Sequence, residues 1–263
     1  MELDATALKQ WIGRQETARD QITPQLVRRF RAMLDEEPGD PQIGEEAPLA
    51  IHWCLAPPVA RMSELGPDGH PARGGFLPPV PLPRRMWAGG EIEVARGLRI
   101  GETVSRISTI EDVTVKQGRT GALCFVAVRH LYETERGTAL SELHNVVFRE
   151  ATSNAAKPSY NERIPDIERT IDPTPTLLFR YSALTYNGHR IHYDRAYATT
   201  EENYPGLVVH GPLQSTLLQH VARDLGNGLI PNKISYRGVG TLFDSEPFKA
   251  CGRMLPDGTA ECW

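Results

Sequence analysis

The spacing of hydrophobic positions changes several times along the chain. Leu26, Val27, Phe30, Met33 and Leu34 recur at helical intervals behind Thr23-Pro24, a capping hydroxyl followed by a proline in the first turn. Glu37-Pro38-Gly39 ends that helix. A second helix is expected from Pro57 or Pro58 through Val59, Met62 and Leu65, stopped by Gly66-Pro67. From Arg85 to Glu150 the pattern becomes that of strands. Residues 122–133 and 141–148 are rich in β-branched, aromatic and aliphatic side chains, and Thr134 to Thr138 between them reads as a hairpin turn. Val113 and Val115 alternate with polar residues before a further turn at Lys116-Gln117-Gly118 and Thr120-Gly121. The expectation is an antiparallel meander of long strands.

Residues 151–176 lack periodicity, carry four prolines and read as a surface linker. Beyond them a strand is expected at 177–183, then a polar, His-rich turn, then a helix. Leu213, Leu217, Leu218, Val221 and Leu225 give that helix a stripe that reads as core packing, with Gly226 as its stop. Two strands follow, near 233–243 and 247–255. The halves resemble each other weakly: 49–65 parallels 207–221, and 87–104 parallels 236–248. Two copies of one helix-and-sheet unit are expected, 1–150 and 177–263, joined by 151–176. After Trp87 the first copy runs on to Glu150, whereas little chain follows the parallel Tyr236. The second sheet is therefore expected to lack one or two strands, through a shortened chain or an edge covered by another subunit.

Composition narrows the function. The 263 residues are 40% hydrophobic and 24% charged with a net charge of −4, which suits a soluble protein and disfavours a nucleic-acid partner. No apolar run is long enough to span a membrane, and the N-terminus lacks a signal-peptide core, so a cytoplasmic location is expected. Cys54, Cys124, Cys251 and Cys262 are widely spaced, which fits neither a metal cluster nor a disulfide scaffold. Residues 66–83 hold six of the 21 prolines and must form a long irregular loop, of the kind that often acts as a lid.

Three of the eight histidines fall within 189–210. The stretch Tyr186-Asn187-Gly188-His189-Arg190-Ile191-His192-Tyr193-Asp194 is polar and aromatic, and His210-Gly211-Pro212 opens the following helix. A helix start presents unpaired N–H donors and a partial positive charge, suited to a thioester carbonyl that becomes an enolate oxyanion. Gly211, lacking a Cβ, lets that carbonyl approach closely. A zinc site from His189, His192 and His210 has no supporting cysteine nearby, and no metal is expected. His52, His70, His130, His144 and His220 read as non-catalytic.

The segments SALTYNGHRIHYD and YPGLVVHGPLQSTLL, within about 40 contiguous residues, resemble the double hot-dog hydroxyacyl-thioester dehydratases of type 2, within the MaoC-like, (R)-specific enoyl-CoA hydratase superfamily. The resemblance implies an α+β fold of antiparallel sheets, each wrapping a long helix. It implies a cofactor-free hydro-lyase acting on a coenzyme A thioester, working as a homodimer. By the His-x-Asp ending, the catalytic His falls on His192, the catalytic Asp on Asn187, the Asn-Pro pair on His189-Arg190 and the oxyanion donor on Gly211. The first half would then be structural and help to bind coenzyme A.

Asn187 departs from the pattern, since an amide cannot accept the proton. His192 is then the principal acid–base group. Either Asn187 orients the water or the imidazole, or His189 or Asp194 replaces the missing carboxylate. The wording YNGHRIHYD resembles bacterial itaconyl-CoA and mesaconyl-C4-CoA hydratases, which form citramalyl-CoA and whose substrates carry a free carboxylate. Arginine suits that carboxylate, with Arg84, Arg85 and Arg190 the first candidates and Arg180 and Arg237 weaker ones. Tyr193 and His210 complete the expected substrate contacts, although His210 reads first as a structural residue. A fatty-acyl 3-hydroxyacyl-thioester dehydratase and a non-catalytic acyl-CoA-binding hot-dog protein are the alternatives.

Overall fold

The computed structural model describes residues 3–118, 121–150 and 163–263. In chain order its elements are α1 (Ala5–Lys9), β1 (Gln15–Gln21), α2 (Pro24–Met33), β2 (Arg84–Val94), β3 (Thr103–Gly118), β4 (Gly121–Thr134), β5 (Gly137–Arg149), β6 (Ile167–Ile171), α3 (Pro175–Leu184), α4 (Gly211–Leu225), β7 (Lys233–Arg237), β8 (Phe248–Met254) and β9 (Ala260–Cys262). One antiparallel sheet has the order β1-β3-β4-β5-β2-β7, and a second has the order β6-β8-β9. The long meander is therefore as expected, and the second sheet is the small one.

Two Thr-Pro pairs start equivalent helices. Thr23 Oγ1 accepts the Leu26 N–H at 3.1 Å at the head of α2, and Thr174 Oγ1 accepts the Leu177 N–H at 3.2 Å at the head of α3. Each helix follows a short strand, β1 or β6, so β1–α2 and β6–α3 are the repeated unit, and α2 packs against α3. This corrects three expectations. Residues 177–183 are helical, because Leu178, Tyr181 and Ser182 fall on one buried face; a short apolar run fits either period, and the Thr-Pro start decides. Residues 167–171, read as linker, form β6, while 151–162 lie outside the described residues. The segment 49–65 matches α4 only in composition. It makes short 3₁₀ turns at Ile51–Cys54 and Met62–Glu64, and Val59 and Met62 are exposed. Pro57 and Pro58 disfavour helical backbone in the residues before them. β1, polar along its length, had no hydrophobic signal to reveal it.

The other paired segments, 87–104 and 236–248, meet only at their first residues, where β2 and β7 run together. β2 and β7 pair antiparallel, Gly90 opposite Tyr236 and Ile92 opposite Ile234, which joins the halves. The longest helix, α4, packs on β8 and β9.

The core divides into two apolar clusters. The larger one gathers Phe30 and Val27 of α2, Tyr181 of α3, Leu213 and Val221 of α4, and Ile92, Tyr132 and Leu140 of the large sheet. The smaller lies farther along the sheet around Val80, Leu82, Val126 and Phe148. Between them runs a buried polar band. Glu142 accepts the Tyr236 O–H at 2.6 Å and the Trp53 Nε1–H at 3.1 Å, with His52 Nε2 at 3.7 Å. Ser108 meets His130 at 2.8 Å. Burial would raise the Glu142 pKa, but His52, His144 and His130 outweigh it and hold the carboxyl below the usual range. Glu142 thus contributes stability above the ordinary carboxylate pKa, and that contribution is lost as the pH falls toward the depressed value. Glu142→Ala leaves buried donors unpaired and is expected to cost about 3–5 kcal/mol, a fall of roughly 10 °C in Tm by calorimetry. An unchanged Tm would show that the band contributes nothing.

Candidate active site

The motif turn is fixed by its own backbone. The Asn187 N–H donates to the Ser182 carbonyl at 2.8 Å, and Asn187 Oδ1 accepts the His189 N–H at 3.0 Å. Arg190 to His192 then make a 3₁₀ turn. Asp194 accepts Arg190 Nε at 3.0 Å and a terminal guanidinium nitrogen at 2.7 Å, and its other oxygen accepts the Tyr197 N–H at 3.1 Å. Asp194 is thus a local cap and ion-pair partner. Arg190 also lies over the Tyr197 ring and donates to the Pro67 carbonyl at 3.0 Å. Its guanidinium is committed to the protein. The half-exposed Tyr193 donates its hydroxyl to the Gly188 carbonyl at 3.0 Å.

His192 is buried, with Nδ1 2.7 Å from the Val208 carbonyl. A carbonyl only accepts, so Nδ1 carries the proton and Nε2 keeps its lone pair. Burial lowers the pKa of His192 to about 4, against a smaller raising effect of the Val208 bond, so the ring is a neutral base at ordinary pH. Behind it, His210 stacks at 3.6 Å between ring centroids. His210 is fully buried and bonded through Nε2 to Ser182 Oγ at 2.8 Å; burial drives its pKa well below the usual value. It supports His192 from the rear. Gly211, the next residue, starts α4 with Pro212 behind it, so its N–H lacks an intrahelical acceptor. A Cβ on Gly211 would stand 2.5 Å from the Trp87 ring, so only glycine fits against this wall of β2.

The proline-rich loop is part of the site. Its prolines have no N–H, and Arg73 organises the remaining carbonyls by donating to Val80, Leu82 and Pro83 at 2.5–2.8 Å. Its tip meets the motif: Arg190 N–H donates to the Asp68 carbonyl at 2.9 Å. Gly69, at φ +85°, lies so close to Gly188 that a Cβ would fall 1.9 Å from that carbonyl oxygen. Asp68 Oδ2 takes a hydrogen bond from His70 Nδ1 at 3.0 Å. The His70 and His189 rings are 4.1 Å apart, and His189 and His192 are 5.3 Å apart. Ligand atoms of Asp68, His70 and His189 lie within 4.8 Å of one another. The structure thus places His70, read from sequence as non-catalytic, against His189, which in turn meets His192. A short Asp-x-His in the loop before Arg84-Arg85 was the signal available.

Successive residues of β2 face opposite ways, which separates the two arginines. Arg84 is buried against Glu202, 3.4 Å from its carboxylate, and lies over Tyr204. Arg85 lines the cavity with His70, His189 and His192 and makes no hydrogen bond or ion pair among the described residues. Burial lowers its pKa to about 10, with Asp68 opposing the shift and Arg73 adding to it. Arg180 and Arg237 are exposed.

Residues 50–244 match the family described as Hydroxyacyl-thioester dehydratase type 2. The chain belongs to that family. It is accordingly a hydro-lyase of thioester substrates. It is 43% identical to the mesaconyl-C(4)-CoA hydratase of Chloroflexus aurantiacus over 251 residues, covering 94% of this chain and 89% of that protein. It is 26% identical to the mitochondrial hydroxyacyl-thioester dehydratase type 2 of Schizosaccharomyces pombe, covering 76% and 75%. A MaoC-like dehydratase from Phytophthora capsici shares its fold with a TM-score of 0.67 at 14% identity, covering 99% and 92%. The double hot-dog expectation holds for this dehydratase-family chain. No helix among its described residues is long and apolar enough to cross a membrane.

Proposed function

We propose that the protein adds water to mesaconyl-C4-CoA, or to itaconyl-CoA after a proton shift, giving citramalyl-CoA. One observation carries the substrate choice: Arg85 offers a partly buried guanidinium with no ion pair among the described residues, beside the histidines and lining the cavity. Both acyl groups carry a carboxylate next to the reacting carbons, and a bidentate Arg–carboxylate pair would fill that place. The Chloroflexus aurantiacus relative supports the same choice. A fatty acyl chain would bring methylene groups to the same guanidinium and leave it unpaired.

In the proposed site the Gly211 N–H polarises the thioester oxygen, and His192 Nε2 takes a proton from the water that attacks the β-carbon. Asn187, with its Oδ1 already on the His189 N–H, holds the turn and shapes the position of both histidines. His189 packs between His70 and His192 and lines the acyl site. Arg190 and Tyr193 support the turn, Arg84 secures the start of β2, and His210 backs His192. The first half, 1–150, contributes the loop, Arg85 and the coenzyme A surface, and the second half contributes the hydratase motif. We assign the active form to a cytoplasmic homodimer that needs no cofactor, a state measurable by light scattering of the purified protein.

Purified protein incubated with mesaconyl-C4-CoA, itaconyl-CoA and crotonyl-CoA is expected to consume the first or second at least tenfold faster than the third, followed by loss of enoyl-thioester absorbance. Preference for crotonyl-CoA, or for longer acyl chains, would overturn the dicarboxylate assignment. No turnover of any of them would leave a binding protein.

A further inference from the structure

We propose that Asp68 and His70, both from the proline-rich loop, form the second proton-transfer group of the site, His70 acting on the reacting carbons and Asp68 holding its ring. This rests on the hydratase reading above. Hydration needs one group to take a proton from water and another to deliver one to the α-carbon. Of the motif's histidines in the cavity, His192 has its tautomer fixed by a hydrogen bond, whereas the His189 ring makes no side-chain hydrogen bond among the described residues to orient it. Asn187 is an amide that cannot exchange the proton, and its oxygen is occupied by the His189 N–H. Asp194, the motif's remaining carboxylate, has both oxygens engaged by Arg190 and the Tyr197 N–H.

The loop supplies what the motif lacks. Asp68 accepts from the His70 backbone N–H at 3.1 Å and from Nδ1 at 3.0 Å, which fixes both the ring and its tautomer. With Nδ1 on a carboxylate, Nε2 is left to exchange a proton, the arrangement of an oriented imidazole. The loop tip is fastened to the motif by the Asp68 carbonyl, the Pro67 carbonyl and the Gly69–Gly188 contact, so the dyad is held in place rather than swinging over the site. His70 lines the cavity beside Arg85, where the acyl carboxylate would sit.

The groups facing His70 are Asp68, Arg73, Arg85, His189 and His192. Burial and the Arg85 charge lower its pKa to about 4, against the pull of Asp68. An acyl carboxylate on Arg85 cancels that repulsion while Asp68 remains, so substrate binding favours the imidazolium. The step then balances. Water gives a proton to His192 Nε2 as its oxygen bonds to the β-carbon. The electron pair of the C=C bond moves to the α-carbon and onto the thioester oxygen at Gly211. The resulting enolate takes the proton of His70 Nε2 to form the α C–H bond. Water returns one proton from His192 to His70 and resets the site.

The test compares wild type, His70→Ala and Asp68→Asn with mesaconyl-C4-CoA across pH, with thermal melts and after chelator treatment. Expected are a loss in kcat of ~10²-fold for His70→Ala and ~10-fold for Asp68→Asn, with KM within threefold. The basic limb of kcat should move to lower pH in Asp68→Asn, since the imidazolium loses its counter-charge; a merely structural carboxylate would not move it. Should His70→Ala fail to fold, the Asp68→Asn profile decides. A His70→Ala rate within threefold of wild type, or an unmoved basic limb, overturns the dyad. So does activity that chelation abolishes and Zn²⁺ restores, because Asp68, His70 and His189 would then be metal ligands. Wild type inert toward mesaconyl-C4-CoA but active on crotonyl-CoA overturns the substrate reading alone, and the same variants then judge the dyad on crotonyl-CoA.

Discussion

His192→Ala is expected to lower kcat by about 10²–10⁴-fold with KM nearly unchanged, because the replaced group acts in the transition state rather than in binding. Three features of the site set that expectation. The Val208 carbonyl fixes the tautomer and leaves Nε2 bare. The stacked His210 and the buried position restrict the ring to one orientation. Burial also keeps the ring neutral down to a pH of about 4. The base form is therefore complete at neutral pH, and the acid limb of the wild-type kcat/KM should lie near that value. A variant with turnover near that of wild type would remove His192 from the chemistry. A wild-type acid limb near pH 6.5 would show that the ring is less desolvated than its burial implies.

Arg85→Gln is the second large effect. It is expected to reduce kcat/KM for mesaconyl-C4-CoA by ~10²-fold, the scale of roughly 3 kcal/mol for removing one partner of a buried, hydrogen-bonded charge pair. Crotonyl-CoA has no carboxylate, and its kcat/KM should change less than threefold. Arg84→Gln provides the contrast: Arg84 is bound to Glu202 and Tyr204, so its loss should lower stability without changing the ratio between the two substrates. Equal losses on both substrates in Arg85→Gln would mean that the guanidinium shapes the cavity rather than reading the carboxylate.

Much of the fold follows from local sequence. Thr23-Pro24 set the start of α2, the alternation from Arg85 to Glu150 set the meander, and the leucine stripe set α4. Elsewhere the local signal is degenerate. LLFRYSA at 177–183 is equally apolar under either period, and the capping hydroxyl of Thr174, three residues earlier, is what makes it helix. The polar β1 is held by its pairing with β3 and carries no pattern of its own.

The chain by itself determined the motif turn, the glycine at the head of α4 and the family resemblance, because each is encoded within a few adjacent residues. Only the tertiary structure decided which arginine is free and which histidines share the site. Arg84 and Arg85 are identical neighbours until β2 sets one against Glu202 and leaves the other beside His70. Asp68 and His70 look like ordinary loop residues until Gly69 and Gly188 let two backbones touch. That contact joins residues far apart in the chain, and its physical basis is the absence of two side chains, which leaves no local pattern of hydrophobicity or charge to read.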